Sequence, residues 1–186
     1  MVASNSHCSL FLCPKQHDFS IKDFSFFLPA LQKIGFISQK INTEEHKKSF
    51  FTGNRYLDYV AYMGCAPAIQ FEASENNSKF CQVNILHFDS AKLIHSQTLA
   101  RAPHCPNCQK LVKNWQQNKT STTIHCDLCH STSSIEAFNW RKMAGYSRLF
   151  IEITDIFPKE AIPQQLLLDK LSNITNTGWL YFYSCR

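Results

Sequence analysis

Cys105-Pro-Asn-Cys108 and Cys126-Asp-Leu-Cys129 are the two stretches on which the reading of this chain turns. Each is a C-x2-C pair, and 17 residues separate them. A two-residue gap lets one tight turn aim both sulfurs at a single ion. Two such turns complete a tetrahedral thiolate shell with metal–sulfur bonds of about 2.3 Å. The sequence therefore predicts one structural zinc ion held by Cys105, Cys108, Cys126 and Cys129, and iron suits the same shell. Four thiolates leave no open position for water, so the site is read as structural and not catalytic.

The 17-residue spacer has room for a strand, a turn and a returning strand. Lys110–Trp115 and Thr122–His125 are the expected strands, Asn118-Lys119 the turn, and Leu111, Ile124, Ile135 and Phe138 a small satellite core. So small a module has too little apolar area to fold alone, and metal binding would supply its folding energy. Through its two C-x2-C motifs, the segment 101–140 resembles the zinc-ribbon (rubredoxin-like) superfamily, over about a fifth of the chain. It departs from the common pattern at Gln109 and His130, where a glycine often relaxes the turn after the second cysteine. His104, His125 and His130 flank the ligands and are expected to be exposed or to hydrogen-bond behind them.

Around the motif, composition sets the class. The chain has 186 residues, 44% of them hydrophobic and fifteen of them Phe, enough to bury a core; charged residues are only 18%, which argues against disorder. No apolar run approaches the ~20 residues of a membrane helix. Ser9–Cys13 is apolar but short, without a basic leader, so a signal peptide is not expected. Nine cysteines, four of them in C-x2-C pairs, read as reduced thiols in a cytoplasmic chain and not as a disulfide framework.

Hydrophobic spacing predicts an α+β fold: a mixed or antiparallel sheet with about two to three helices. Residues 1–100 and 141–186 together form one domain, with the ribbon of 101–140 inserted. A helix is expected over Ser20–Ile34, with Ser20 and Asp23 as a capping box, Gly35 as its stop and Pro29 as a kink or break. Residues 42–49 read as an exposed polar loop. Asn54–Met63 reads as a helix closed by Gly64 and Pro67, although its near-continuous apolar character also suits a buried strand. Strands are expected at Ala68–Glu72, Phe80–Phe88, Ala91–His95, Leu149–Ile153 and Trp179–Ser184, the last covered on both sides. Pro163 opens a final helix reaching Asn173, with Leu166, Leu167 and Leu171 inward.

Charge suggests what the module meets. Between 101 and 142 lie six cations (Arg101, Lys110, Lys113, Lys119, Arg141, Lys142) and two anions (Asp127, Glu136), a net +4 of the chain's +5. Four thiolates and one Zn2+ sum to −2, which halves that excess. Lys110, Lys113, Trp115, Lys119, Arg141, Lys142 and Arg148 are the candidate contacts to RNA or DNA, or to a protein partner. A non-catalytic nucleic-acid-binding or regulatory role is set ahead of a protein–protein adaptor. An enzyme comes third, since only Cys65 and the Glu152, Asp155 and Glu160 group suggest chemistry, and neither has an assignable partner. His7, Cys8, Cys13 and His17 have the residue types of a second metal site but not its spacing.

Overall fold

Alternating apolar side chains carry the chain from Ala144 to Ile156 as one long strand at the centre of the fold. The structure is a computed structural model and describes residues 8–21, 24–63, 69–73, 79–97, 101–156 and 160–185. The elements run β1 (Cys8–Pro14), α1 (Phe24–Lys33), β2 (Ile37–Thr43), β3 (Lys47–Thr52), α2 (Tyr56–Tyr59), β4 (Val60–Tyr62) and β5 (Gln82–His95). There follow β6 (Thr123–His125), β7 (Thr132–Ser134), a 3-10 turn (Ile135–Ala137), β8 (Ala144–Ile156), β9 (Ala161–Pro163), α3 (Gln165–Thr175) and β10 (Trp179–Cys185). Six strands form one sheet in the order β10-β1-β8-β5-β3-β2, and every neighbouring pair is antiparallel. The fold is α+β. No helix among the described residues is long and apolar enough to cross a membrane.

The period-2 rule sorts the two faces of the sheet. Leu149, Ile151 and Ile153 of β8, with Leu10, Leu12, Val83 and Ile85, face the helices; Phe27 and Leu31 of α1, Tyr56 and Tyr59 of α2, and Leu167 and Leu171 of α3 close over them. On the opposite face Phe11, Cys13, Phe150 and Phe182 form a smaller cluster in which Phe11 stacks on Phe182. Leu166, expected inward, is 43% exposed.

Several elements differ from the sequence expectation. α1 starts at Phe24, and the Ser20 hydroxyl meets His87 Nε2 at 3.1 Å instead of capping the helix; Asp23 lies outside the described residues. Pro29 sits inside α1 without ending it. The helix stops at Gly35 (φ +76), with Phe36 N–H bonding Leu31 O and Gly35 N–H bonding Gln32 O, so the predicted stop is a Schellman turn. Residues 42–49 are not a loop, because β2 and β3 form a hairpin through Glu44 and Lys47. Asn54–Met63 is one helical turn followed by β4, since Val60–Tyr62 pairs with Pro163–Ala161 of β9 and that ladder outweighs the helical spacing. Gly64 and Pro67 lie outside the described residues, as does Ala68. Ile69–Glu72 is irregular. Phe80–Phe88 and Ala91–His95 merge into β5, and Pro163 closes β9 ahead of α3. β10 is an edge strand covered on both faces, with Trp179 and Cys185 in the main core and Phe182 in the opposite cluster; Leu180 alone of its residues is exposed, at 36%.

Cys8 and Cys185 stand directly opposite on β1 and β10 and form a disulfide. The expectation that all nine cysteines are free thiols is corrected at this pair. The two residues are 177 apart in sequence, so no local pattern announces the bond. β5 and β8 are long enough to project past the helix-covered core. Their ends, His95 and Ala144, are paired, and the cysteine module is the connection between them.

Candidate metal centre

Two turns of the same design build the site. In the first, Cys105 N–H bonds Lys110 O at 2.9 Å and Gln109 N–H bonds Cys105 O at 3.0 Å; in the second, Cys126 N–H bonds Ser131 O and His130 N–H bonds Cys126 O, both at 2.8 Å. Gln109 (φ 59) and His130 (φ 58) are both in the left-handed region. These are the two positions at which the sequence lacks the usual glycine. The turn conformation persists there, with the backbone cost absorbed by the closing hydrogen bonds.

The four sulfurs lie within 4.8 Å of one another. Cys105 Sγ to Cys129 Sγ is 3.7 Å and Cys108 Sγ to Cys126 Sγ is 3.8 Å. A tetrahedron of thiolates around an ion at about 2.3 Å has edges of about 3.8 Å, so the spacing fits a metal ion at the centre. Donors from the chain favour the ionised sulfurs. The Ser131 hydroxyl (3.1 Å), the Ser131 amide and Asn107 Nδ2 (3.6 Å) hold the Cys129 thiol down at about 5. The Lys110 amide pulls Cys108 down, but desolvation and the three neighbouring cysteines outweigh it and leave that thiol at about 11. Four negative sulfurs at these distances repel one another, and only a central cation lets all four ionise together. Sequence reasoning missed Asn107 and Ser131; both are small polar residues inside or just beyond a knuckle, which is the only signal available.

Behind the knuckles lies a buried core of Val112, Trp115, Ile124, Ile135 and Phe138. Ile124, Ile135 and Phe138 are as predicted, whereas Leu111 is 39% exposed and Val112 and Trp115 take its place. Lys110–Trp115 is not a strand: it makes one bridge, Leu111 to His104, and enters a turn, while the hairpin partner of β6 is β7. Leu93 of β5, Trp140 and Tyr146 of β8 pack against the same core, which joins the module to the foot of the sheet. None of the three histidines joins the sulfur cluster. His104 Nδ1 meets Gln109 O at 2.7 Å and His125 Nδ1 meets Thr132 Oγ1 at 3.2 Å.

The predicted contact residues divide. Lys110, Lys113, Lys119, Arg141 and Lys142 are exposed. Trp115 is 4% exposed and belongs to the core, so it presents no ring for stacking. Arg148 is half-buried on β8 and donates from Nε to Phe88 O at 3.2 Å across the irregularity between β5 and β8. Glu152 accepts from Ser9 Oγ and Asn84 Nδ2, both at 2.9 Å. Asp155 (φ 54) occupies the bulge in β8 opposite β1, and Glu160 lies at the start of β9, where its carbonyl accepts from Met63 N–H. Cys65 and His7 lie outside the described residues. Cys8 is in the disulfide, Cys13 is buried in the Phe cluster and His17 faces Glu136 at 3.6 Å, so these three do not come together as a second metal site among the described residues. No protein family, curated protein or solved structure matches the chain.

Proposed function

We propose that the chain is a non-catalytic zinc-ribbon module that contacts nucleic acid, with one zinc ion tying the two knuckles together. The donor set supports zinc: four thiolates at tetrahedral spacing, with backbone and Ser131 donors behind them. The ion's part is to hold the ribbon's shape.

One observation carries the nucleic-acid reading. The two acids of the segment keep their charge: Asp127 accepts from the neutral Asn118 Nδ2 at 2.7 Å, and Glu136 lies 3.6 Å from His17 Nδ1. Lys110, Lys113, Lys119, Arg141 and Lys142 are exposed, and none takes part in an ion pair among the described residues. With the metal–thiolate shell counted the module still carries an excess of about two positive charges, and exposed cations free of ion pairs suit phosphate. Fluorescence anisotropy with the zinc-loaded chain tests it: affinity for labelled RNA or DNA is expected to fall steeply between low and physiological salt. Salt-independent binding, or none, sinks the reading.

A protein–protein adaptor is the second reading, and Leu111 and Leu128, 39% and 57% exposed on the two knuckle segments, are the apolar side chains it would use. A partner retained after nuclease treatment would favour it over nucleic acid.

A further inference from the structure

The seam where the ribbon meets the β10 edge holds a cavity of about 350 Å³. Trp140, Tyr146 and Tyr181 wall it, and Lys15, Arg141 and Lys142 line it as cations. We propose that this seam is a slot for one unpaired nucleotide, so that the chain prefers single-stranded nucleic acid to duplex. The proposal rests on the nucleic-acid reading above and narrows it.

Shape argues first. The volume is at the low end of the roughly 300–1,000 Å³ of small-molecule pockets, enough for one planar base. A duplex keeps its bases stacked and is read by a convex element entering a groove. A concave aromatic slot suits a base that has left the stack.

Charge argues second. Arg141 Nη2 is held by Ala102 O at 3.0 Å and Lys142 Nζ by the Tyr181 hydroxyl at 2.6 Å, both neutral partners. The Lys142 ammonium also rests 4.2 Å over the Tyr181 ring. A phosphate is the stronger partner for that ammonium, and drawing it away bares the ring to a base. Glu136 also lines the cavity, 3.6 Å from His17 Nδ1, so the three cations outnumber one acid there.

Backbone argues third. Arg141 (φ 50) and Lys142 (φ 60) are successive left-handed residues, a conformation that glycine or asparagine adopts more readily. The turn is held by Arg141 N–H to Asn139 Oδ1 and Tyr183 N–H to Lys142 O, both at 3.0 Å. Two long cations are thus fixed at the slot despite the strain, and such strain gathers at functional sites.

The test is anisotropy with the zinc-loaded full chain on labelled oligo-U, oligo-dT and a blunt duplex of equal length. Single strands are expected to bind about tenfold tighter than duplex, and the two single-strand arms show which sugar is preferred. Tyr181→Ala is expected to weaken single-strand binding about tenfold and abolish the preference, by the usual strength of one base–aromatic stack, while Tyr181→Phe keeps both. Lys142→Gln is expected to reduce the salt slope by about 0.7, the loss of one single-strand phosphate contact. Zinc content and thermal midpoint verify each fold. If Tyr181→Ala does not fold, the Lys15→Gln/Lys142→Gln pair decides, since both side chains are at the surface. Equal affinity for strand and duplex, or a salt slope unmoved by the lysine changes, overturns the slot and leaves the general reading standing. No binding to any probe removes both.

Discussion

Trp115 and Trp140 meet edge to face, ring centroids 4.9 Å apart and planes at 85°, and Trp115 meets His95 in the same way at 5.2 Å. Trp115 comes from the ribbon's inner turn, Trp140 from its exit and His95 from the end of β5. The three rings therefore fasten the module to the sheet. Trp115→Ala is expected to cost about 3–5 kcal/mol, the usual price of emptying a buried aromatic site. Lys113→Ala, on the exposed side of the same turn, should stay within about 0.5 kcal/mol. Urea midpoints of the two variants check the contrast. Trp115→Phe should leave nucleic-acid affinity unchanged, because the ring does not reach the surface.

Metal and ribbon should be lost together. Structural zinc sites contribute on the order of 10–16 kcal/mol of apparent binding energy, far more than this small core can supply. Cys126→Ser is therefore expected to drop bound metal from about one ion per chain to near zero, and to red-shift tryptophan emission as Trp115 and Trp140 loosen. The six-stranded sheet has its own core and should keep its far-ultraviolet signal. Elemental analysis with fluorescence measures both; metal retained at wild-type stoichiometry would rule out the four-cysteine shell.

The Cys8–Cys185 bond closes a loop of almost the whole chain. Chain entropy alone then gives an upper value of about 5 kcal/mol, and measured bridges usually contribute about 2–4. The Cys8→Ser/Cys185→Ser double variant should lower stability by that order in denaturant titration. The double variant is preferable to reductant, which would also act on the metal thiolates. Non-reducing peptide mapping should recover the Cys8 and Cys185 peptides as one linked species from an oxidised preparation.

Cys13 offers a pH test. Burial among Phe11, Phe150 and Phe182 raises its thiol from 9.0 to about 12. The folded state thus keeps a proton that the unfolded chain gives up from about pH 9. Its contribution is whole below pH 9 and declines by about 1.4 kcal/mol per pH unit as pH climbs towards 12. Cys13→Ala should flatten the alkaline fall of the urea midpoint relative to the parent chain. Other buried groups that ionise in alkali are common to both proteins, so the difference isolates Cys13.

What could be read from residue order alone is what local geometry dictates. A C-x2-C pair fits in one turn, so both knuckles and the four-sulfur cluster were legible; that Gln109 and His130 adopt the left-handed backbone without glycine was shown only by the structure. Alternation placed Leu149, Ile151 and Ile153 on one face of β8, and helical spacing placed Leu167 and Leu171 inward on α3. Where apolar residues ran on without period, at Tyr56–Tyr62, one sequence fitted two elements and pairing with β9 decided between them.

The rest depended on residues distant in the chain. Cys8 meets Cys185 because β1 and β10 are neighbours in the sheet, and nothing within either strand records that order. Trp115 resembles a surface aromatic in sequence, yet the ends of β5 and β8 supply Leu93 and Tyr146 to the core that buries it. The cavity lined by Lys15, Arg141 and Lys142 forms because the segment leaving the cysteine module lies against an edge strand that begins at Trp179. Cys105, Cys108, Cys126 and Cys129 come together through short turns. Everything around that site is set by strand order, which propensity over a few residues does not encode.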